Sequence, residues 1–374
     1  MESRRPRLVT LFPETENIHL LKDVGMIPYI LQKYYNYDSK IVCYDNGDYP
    51  YLRELTKGLK IEILEKSKRK RVKDPYEASI DDGYNYIKRH AKQIDILQIF
   101  HLSDRSLPWI SLYKLLNPKG KVYLKLDANA DAKNIKLHES VISILRLCNL
   151  ISVETKELYE YLNQHWPLRI EYLPNGFYDF GVRENILFEE KENIICSAGS
   201  IGSHIKGHDL LIEAFCLAYP YIPGWKLKLI GSVDNPLFHT YLSEYFERNP
   251  HLKDKIIFTG KITDRPKLEN EYRKAKIFCL PSRSEGFPLV FPEAGRNGCF
   301  IISSNVIPAW DITDNKRLGD IVEINNIHQL ADSLIKNCNH EERLREGCKG
   351  IQDHMYNNFY WVNICQKIDS LLNL

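Results

Sequence analysis

A chain of 374 residues is long enough for about two domains, each able to bury its own core. Its 51 Lys and Arg against 49 Asp and Glu leave a formal charge of +2, which argues against a dedicated nucleic-acid binder. No stretch is apolar enough to span a bilayer, and the short run after Arg7 breaks at Pro13 before it could make a signal peptide. The nine cysteines are scattered singly, with no CxxC pair, so neither a zinc site nor a disulfide framework is expected; they read as reduced core residues in a cytosol.

The first strand is expected over residues 7–12, and the turn behind it, Pro13-Glu14-Thr15-Glu16-Asn17, lacks the glycines of a dinucleotide-binding fingerprint. A helix carrying Val24, Ile27, Ile30 and Leu31 follows, then strands at 40–44 and 60–64. Strands at 94–100, 121–126, 150–153 and 169–173 are then separated by helices reaching to about 116, to about 149, and over 156–165. Strand then helix, repeated, predicts a parallel sheet covered on both faces. Ligands bind such sheets at the carboxyl ends of the strands, where His101 and Asp127 fall; either residue would serve equally as a helix cap. The tyrosines Tyr29, Tyr34, Tyr35 and Tyr37 suit sugar stacking or ordinary helix packing. In Lys66-Ser67-Lys68-Arg69-Lys70-Arg71-Val72-Lys73 six of eight residues are basic. Such a run is a solvated loop, or a surface for anionic lipid or a diphosphate-bearing acceptor, each cation there contributing roughly 1 kcal/mol.

Pro174-Asn175-Gly176-Phe177 offers an Asn-Gly turn able to adopt positive φ, and the polar stretch 178–191 reads as a linker, which puts a boundary near residue 177. The second half opens on a strand at 193–198, followed by Gly199-Ser200-Ile201-Gly202-Ser203-His204-Ile205-Lys206-Gly207-His208-Asp209 and a helix with Leu210, Leu211, Ala214, Phe215 and Ala218 on one face. Small residues and a lysine at a helix start suit a diphosphate, because the backbone can approach closely and an ammonium neutralises charge. Strands at 226–230 and 256–258 end in Gly231 and Thr259-Gly260-Lys261-Ile262. A further strand, 277–280, leads into Ser284-Glu285-Gly286-Phe287-Pro288-Leu289-Val290-Phe291-Pro292-Glu293-Ala294. Glu285 then lies in a turn and Glu293 in a helix that begins near Leu289, since Pro292 is tolerable only in a first turn. The two carboxylates flank a helix start whose N–H groups would receive a phosphate with hydroxyl-bearing groups on either side; as plainer roles, both serve as caps and dipole partners. A strand at 300–303, helices over 327–337 and about 341–354, and an aromatic-led helical tail from 359 complete the chain.

Glu285-Gly286-Phe287-Pro288 with Glu293-Ala294, together with Lys206-Gly207 and Asn175-Gly176, resembles the signature of retaining GT-B glycosyltransferases, in particular family four, the glycosyl transferases of group 1. The resemblance implies an α/β fold of two Rossmann-like domains facing across a cleft: an acceptor-side domain over 1–176, a nucleotide-sugar-binding domain over 177–355, and a C-terminal helix over 356–374 packing back on the first. It implies transfer of a hexose-type sugar from a UDP- or GDP-linked donor to a hydroxyl of a glycan, lipid-linked or protein acceptor, in surface polysaccharide biosynthesis. The catalytic places fall to Glu285 and Lys206, with His101 or Asp127 lent by the first domain. The donor would be held by Gly199, Ser200, Lys206, Ile262, Gly286, Phe287, Pro288, Leu289, Val290 and Glu293. Of these, Glu293 takes the ribose hydroxyls, Ile262 the base, and Lys206 with the N–H groups of 286–290 the leaving diphosphate. Gly25 falls where the family often keeps a glycine pair for ligand approach, and Ser200 or Ile201 stands where it usually keeps a phosphate-binding Arg. No Asp-x-Asp triplet occurs, so no metal or other cofactor is expected, and the nucleotide-sugar is a substrate. The missing Arg also admits a catalytically weak subunit that binds a partner enzyme or a glycan, and a sugar-nucleotide epimerase is a third reading. A cytoplasmic protein, peripheral on the inner face of the membrane, would fit.

Overall fold

The computed structural model describes residues 4–66 and 74–373. They form two compact units, one of residues 1–181 with 359–374, the other of residues 182–358. Among the described residues the first unit holds β1 (Arg7–Leu11), β2 (Asp38–Cys43), β3 (Lys60–Ile63), β4 (Ile96–Phe100), β5 (Lys121–Lys125), β6 (Leu150–Val153) and β7 (Glu171–Tyr172). They pair in the order β3-β2-β1-β4-β5-β6-β7, parallel throughout. The second unit holds β8 (Glu192–Ala198), β9 (Lys226–Ile230), β10 (Ile256–Gly260), β11 (Ala275–Leu280), β12 (Phe300–Ser304) and β13 (Gly319–Val322), ordered β10-β9-β8-β11-β12-β13 and again parallel. Central strands such as β4 and β11 are buried at every position, as strands covered on both faces must be.

Each chain segment starts at the middle of its sheet, runs out to one edge and crosses back. The order therefore reverses between β1 and β4 in one unit and between β8 and β11 in the other. Loops at the carboxyl ends of two such strands diverge to opposite faces and leave a crevice, the usual ligand position in open α/β sheets. His101 follows β4, and the Lys206 and Glu285 loops follow β8 and β11.

The helix Trp361–Asn373 packs Trp361, Ile364, Cys365, Ile368 and Leu372 into the first unit's core beside Met26, Ile27, Ile30 and Leu31. Its lead-in is pinned where the Phe177 N–H donates to Phe359 O (2.9 Å) and the Trp361 N–H to Phe177 O (3.0 Å). This explains Gly176 differently from the expected positive-φ turn. Neither Asn175 nor Gly176 has positive φ; a Cβ at Gly176 would sit 2.1 Å from Phe359 O, so the residue is small for the sake of that pairing. The tyrosines take part in packing, with Tyr34 still 47% exposed. The Lys33 ammonium donates to Tyr178 Oη (2.9 Å) beneath the rings of Tyr29 and Tyr34, Tyr35 Oη donates to Val362 O (2.9 Å), and Tyr37 Oη to Asp369 (2.7 Å). All nine cysteines are free thiols, seven of them buried and two partly so.

Some expected elements are shorter. The helix expected to reach about residue 149 is a 3-10 turn, Ala130–Asn134, followed by the helix Glu139–Leu145, and the strand expected at 169–173 is only Glu171–Tyr172. Among the described residues five helices were not legible beforehand: Pro50–Glu54, Pro75–His90, Pro236–Arg248, Arg265–Lys274 and Ile307–Ile312.

Candidate functional site

In the second unit two loops meet. After β8 the chain turns at Gly199 (φ 152°), passes a 3-10 turn at His204–Lys206, and enters the helix His208–Ala218 through Gly207. Gly207 has φ 67°, and a Cβ there would lie 2.2 Å from Pro281 O, so only glycine both takes the left-handed turn and admits the second loop. That second loop, from Pro281 to Leu289, is stitched to the first by Arg283. Its N–H donates to Ile205 O (2.7 Å), and its guanidinium donates to His204 O (2.6 Å) and forks onto Asp209 (3.0 and 2.6 Å). Burial pushes the Asp209 carboxyl up, but the Arg283 hydrogen bond and charge outweigh it and hold it below the usual carboxylate range.

The clamp brings Lys206 Nζ to 2.7 Å from Glu285 Oε1, which also accepts from Ser282 Oγ at 2.6 Å. The Glu285 side chain is 8% exposed and that of Lys206 26%, so the pair is shielded but reachable. Eight residues on, Glu293 lies in the helix Val290–Arg296, where its Oε1 is 2.9 Å from Arg265 Nη2. Arg265 also meets Glu269 (3.1 Å), which Arg296 (2.6 Å) and Asn297 (2.6 Å) hold from the other side. The Glu293 charge is the largest influence raising the Arg265 guanidinium above its ordinary value.

The other expected donor contacts scatter more widely. Gly286 is half-buried, Phe287 and Pro288 are buried, and Leu289 and Val290 are half-buried along the approach to the helix. Ile262 is half-buried in the loop beyond β10. Ser200 is exposed, whereas Ile201 is buried in the core and bridges to Val233, so neither supplies a cation where the family pattern has one. His208 is fully buried, with neither ring nitrogen hydrogen-bonded among the described residues; burial first, then the neighbouring Lys206 charge, push its imidazole down to about 4.

In the first unit the structure joins the two candidates that the sequence left as alternatives: His101 Nε2 is 3.2 Å from Asp127 Oδ2. Both residues have left-handed backbones, φ 63° and 44°, and both side chains are partly exposed. The Asp127 hydrogen bond holds the His101 imidazole above its ordinary value. Burial pushes the Asp127 carboxyl up, but the His101 hydrogen bond and the Lys125 charge bring it below the usual range. Beneath them lie Lys125 and Glu154, each 1% exposed at the side chain, in contact as an ion pair, with Asp23 Oδ2 3.8 Å from Lys125 Nζ. Burial and the Asp127 charge push the Asp23 carboxyl up to about 7. A Cβ at Gly25 would meet Leu20 Cα at 2.3 Å, so glycine there lets the 3-10 turn Asn17–Leu21 pack against the helix Asp23–Tyr34. Of the basic run only Lys66 is described, its ammonium 5.0 Å from the Tyr44 ring centre; residues 67–73 lie outside the described residues.

The charged partners Arg283, Arg265, Lys125 and Glu154 were not legible as site residues. Arg283 at least sits inside the turn that drew notice, two residues before Glu285. The others are joined to their partners across 28 and 29 positions of sequence, a pairing that only the fold creates. Among the described residues no cluster of three or more His, Cys, Asp or Glu could hold a metal ion, and no helix is long and apolar enough to cross a membrane.

Residues 182–349 match the family described as Glycosyl transferases group 1. An uncharacterized glycosyltransferase of Haemophilus influenzae is 29% identical over 152 residues, 40% of this chain and 41% of that protein. The lipopolysaccharide core biosynthesis mannosyltransferase LpsB of Rhizobium meliloti is 32% identical over 134 residues, 35% of this chain and 37% of that protein. The chain thus spans about two fifths of the length of these curated relatives. Over nearly the whole chain, the fold is that of Anabaena HepE, solved in complex with UDP and glucose, with a TM-score of 0.73, 14% identity, and coverage of 99% of this chain and 100% of that one. It is the GT-B fold of α/β glycosyltransferases.

Proposed function

With a group 1 glycosyltransferase domain as its second unit and a GT-B fold, the protein is, we propose, a retaining glycosyltransferase. It moves a hexose-type sugar from a UDP- or GDP-linked donor to a hydroxyl of a glycan, lipid-linked or protein acceptor. The bond from the anomeric carbon to the diphosphate breaks, the acceptor oxygen bonds that carbon on the same face, and the hydroxyl proton leaves with the nucleoside diphosphate. The relative named for lipopolysaccharide core biosynthesis supports a surface polysaccharide as the product's destination, with the enzyme working in the cytoplasm, peripheral to the membrane.

The observation that carries this reading is the Lys206–Glu285 pair, with Glu293 eight residues on at the head of a helix. Charge develops on the diphosphate as the bond breaks, and a partly buried ammonium stabilises it more than water would. Glu285 orients the donor sugar through its hydroxyls, and Glu293 receives the ribose hydroxyls, each as an ionised acceptor. Gly199, Ser200 and the stretch from Gly286 to Val290 line the donor, Ile262 meets the base, and no metal is needed. In the first unit, the His101–Asp127 pair offers both a donor and an acceptor suited to the hydroxyls of a sugar. The absence of an arginine at Ser200 or Ile201 favours a second reading, a catalytically weak subunit that binds a glycan or a partner enzyme.

The test is the stereochemistry of the product. Incubation with UDP- and GDP-sugars and a glycan acceptor, followed by proton NMR, should give an anomeric coupling matching that of the donor. A product of opposite configuration contradicts retention.

A further inference from the structure

The first unit contains a buried device that nothing in the proposed reaction uses. Glu154, at the end of β6, is fully buried and takes three donors: Lys125 Nζ, the Asp127 N–H (3.0 Å) and the Ala128 N–H (2.9 Å). Three converging donors are what an ionised carboxylate accepts. Successive N–H groups around a left-handed residue form a concave anion site, and here the anion comes from the chain itself. The residue in the left-handed position is Asp127, with φ 44°, a conformation that non-glycine residues adopt mainly where a short polar side chain or the surroundings support it.

We propose that Glu154, neutralised by Lys125, is a positioning residue. Its carboxylate fixes the turn after β5, so that the Asp127 carboxylate is presented to His101 in the one orientation that joins them. Other bonds make the device tight: the His101 N–H donates to Lys125 O (2.9 Å) and the Leu126 N–H to Ser152 O (2.9 Å), so β4, β5 and β6 all bear on the pair. The charged groups facing His101 are Asp127 and Asp23, which favour its protonated form, and Arg105, which opposes it. Arg105 is itself committed to Glu14 and to Ser79 Oγ (3.1 Å). A buried ion pair is weak evidence of stabilisation, since apolar residues of similar size often serve as well. The Lys125–Glu154 pair is explained by what its carboxylate holds. The inference deepens the proposed function by saying how the His101–Asp127 pair is aligned, and it is tested on His101 directly, so its failure is separable from failure of the transferase reading.

The experiment is an NMR titration of the His101 ring in the full chain with labelled histidine, comparing wild type, Asp127→Asn, the double variant Lys125→Met with Glu154→Leu, and the double variant Lys125→Met with Glu154→Gln. Both double variants remove one charge of each sign and both take Lys125 away from Asp23, so the change in the field at His101 is common to the two. Asp127→Asn should move the His101 titration to lower pH. The Leu double variant should move it in the same direction, and further than the Gln variant, which keeps an acceptor for the two N–H groups. Far-UV circular dichroism with a cooperative thermal transition serves as the check that each variant is folded. A folded Leu variant whose His101 titrates like that of the Gln variant overturns the proposal. Should that variant not fold, amide exchange of the wild type decides: Asp127 and Ala128 N–H groups protected like those of β5 support the proposal, and fast exchange overturns it.

Discussion

Lys206 Nζ and Glu285 Oε1 lie 2.7 Å apart, so the ammonium that the proposed function assigns to a diphosphate and the carboxylate that it assigns to a sugar neutralise one another. A donor carrying both groups can replace both halves of the pair, whereas a diphosphate alone takes Lys206 and leaves Glu285 with Ser282. Lys206→Ala should therefore weaken UDP or GDP binding by about ten- to a hundredfold, the range of a lost charge-assisted hydrogen bond of roughly 1.5–3 kcal/mol. Isothermal titration calorimetry of both proteins reads it directly, and unchanged affinity in the variant would remove Lys206 from the diphosphate site.

Glu293 is predicted to act on the ribose. Glu293→Gln should cost nucleoside diphosphate affinity about tenfold, or ~1.4 kcal/mol, while leaving affinity for the 2′,3′-dideoxy analogue as it was. The comparison of four dissociation constants isolates the hydroxyl contact. An equal loss for both nucleotides would mean that the variant disturbs Arg265 and the helix rather than a ribose bond.

His208 makes a prediction about pH. Its imidazole is held down to about 4 in the folded chain against an ordinary 6.5, so the unfolded chain binds more protons between those values, and stability must fall as pH drops from about 6.5 toward 4. His208→Leu removes that proton uptake. The melting temperature of the variant should decline less steeply than that of the wild type between pH 6.5 and 4.5, with the two curves parallel above pH 7. Parallel curves across the acid range would show that His208 is not the buried neutral base described.

At Gly207, alanine would meet both a left-handed backbone and the Pro281 carbonyl. The conformational term alone is roughly 1–2 kcal/mol, and the backbone contact adds to it because neither loop can yield without parting the Arg283 clamp. Gly207→Ala should lower the unfolding midpoint by several degrees and cut nucleotide binding through displacement of Lys206. A variant as stable as the parent would contradict the packing argument.

How far the sequence carried depended on whether a residue's role was local. Most strands were legible because buried parallel strands are near-continuous apolar runs, as in Ile96–Phe100 and Ala275–Leu280; Gly319–Val322, four residues opening on glycine and aspartate, was not. Glu285 in a turn and Glu293 in a first helical turn followed from Pro292. The helix Pro75–His90 was missed because its buried face consists of Ser79, Asp82, Gly83, Tyr86 and Ile87, so the period of 3.6 is carried by burial and not by apolar residues. Gly83 is small because Trp109 lies against it, with Cζ2 2.1 Å from where a Cβ would be. Arg265–Lys274 buries only Tyr272 and was equally silent. Charged residues hidden in apolar strands, Lys125 above all, acquire meaning only once β5 and β6 are side by side.

The central claim is that the Lys206 and Glu285 loops form a donor site that turns over. The most direct measurement is a donor screen: purified protein incubated with a panel of UDP-, GDP- and other nucleotide-sugars, with released nucleotide quantified, and Glu285→Ala and Lys206→Ala proteins alongside. Release from one donor, abolished in both variants, is the predicted result. If no donor is turned over or bound and the variants behave like the parent, the transferase account is contradicted and the binding-subunit reading takes its place.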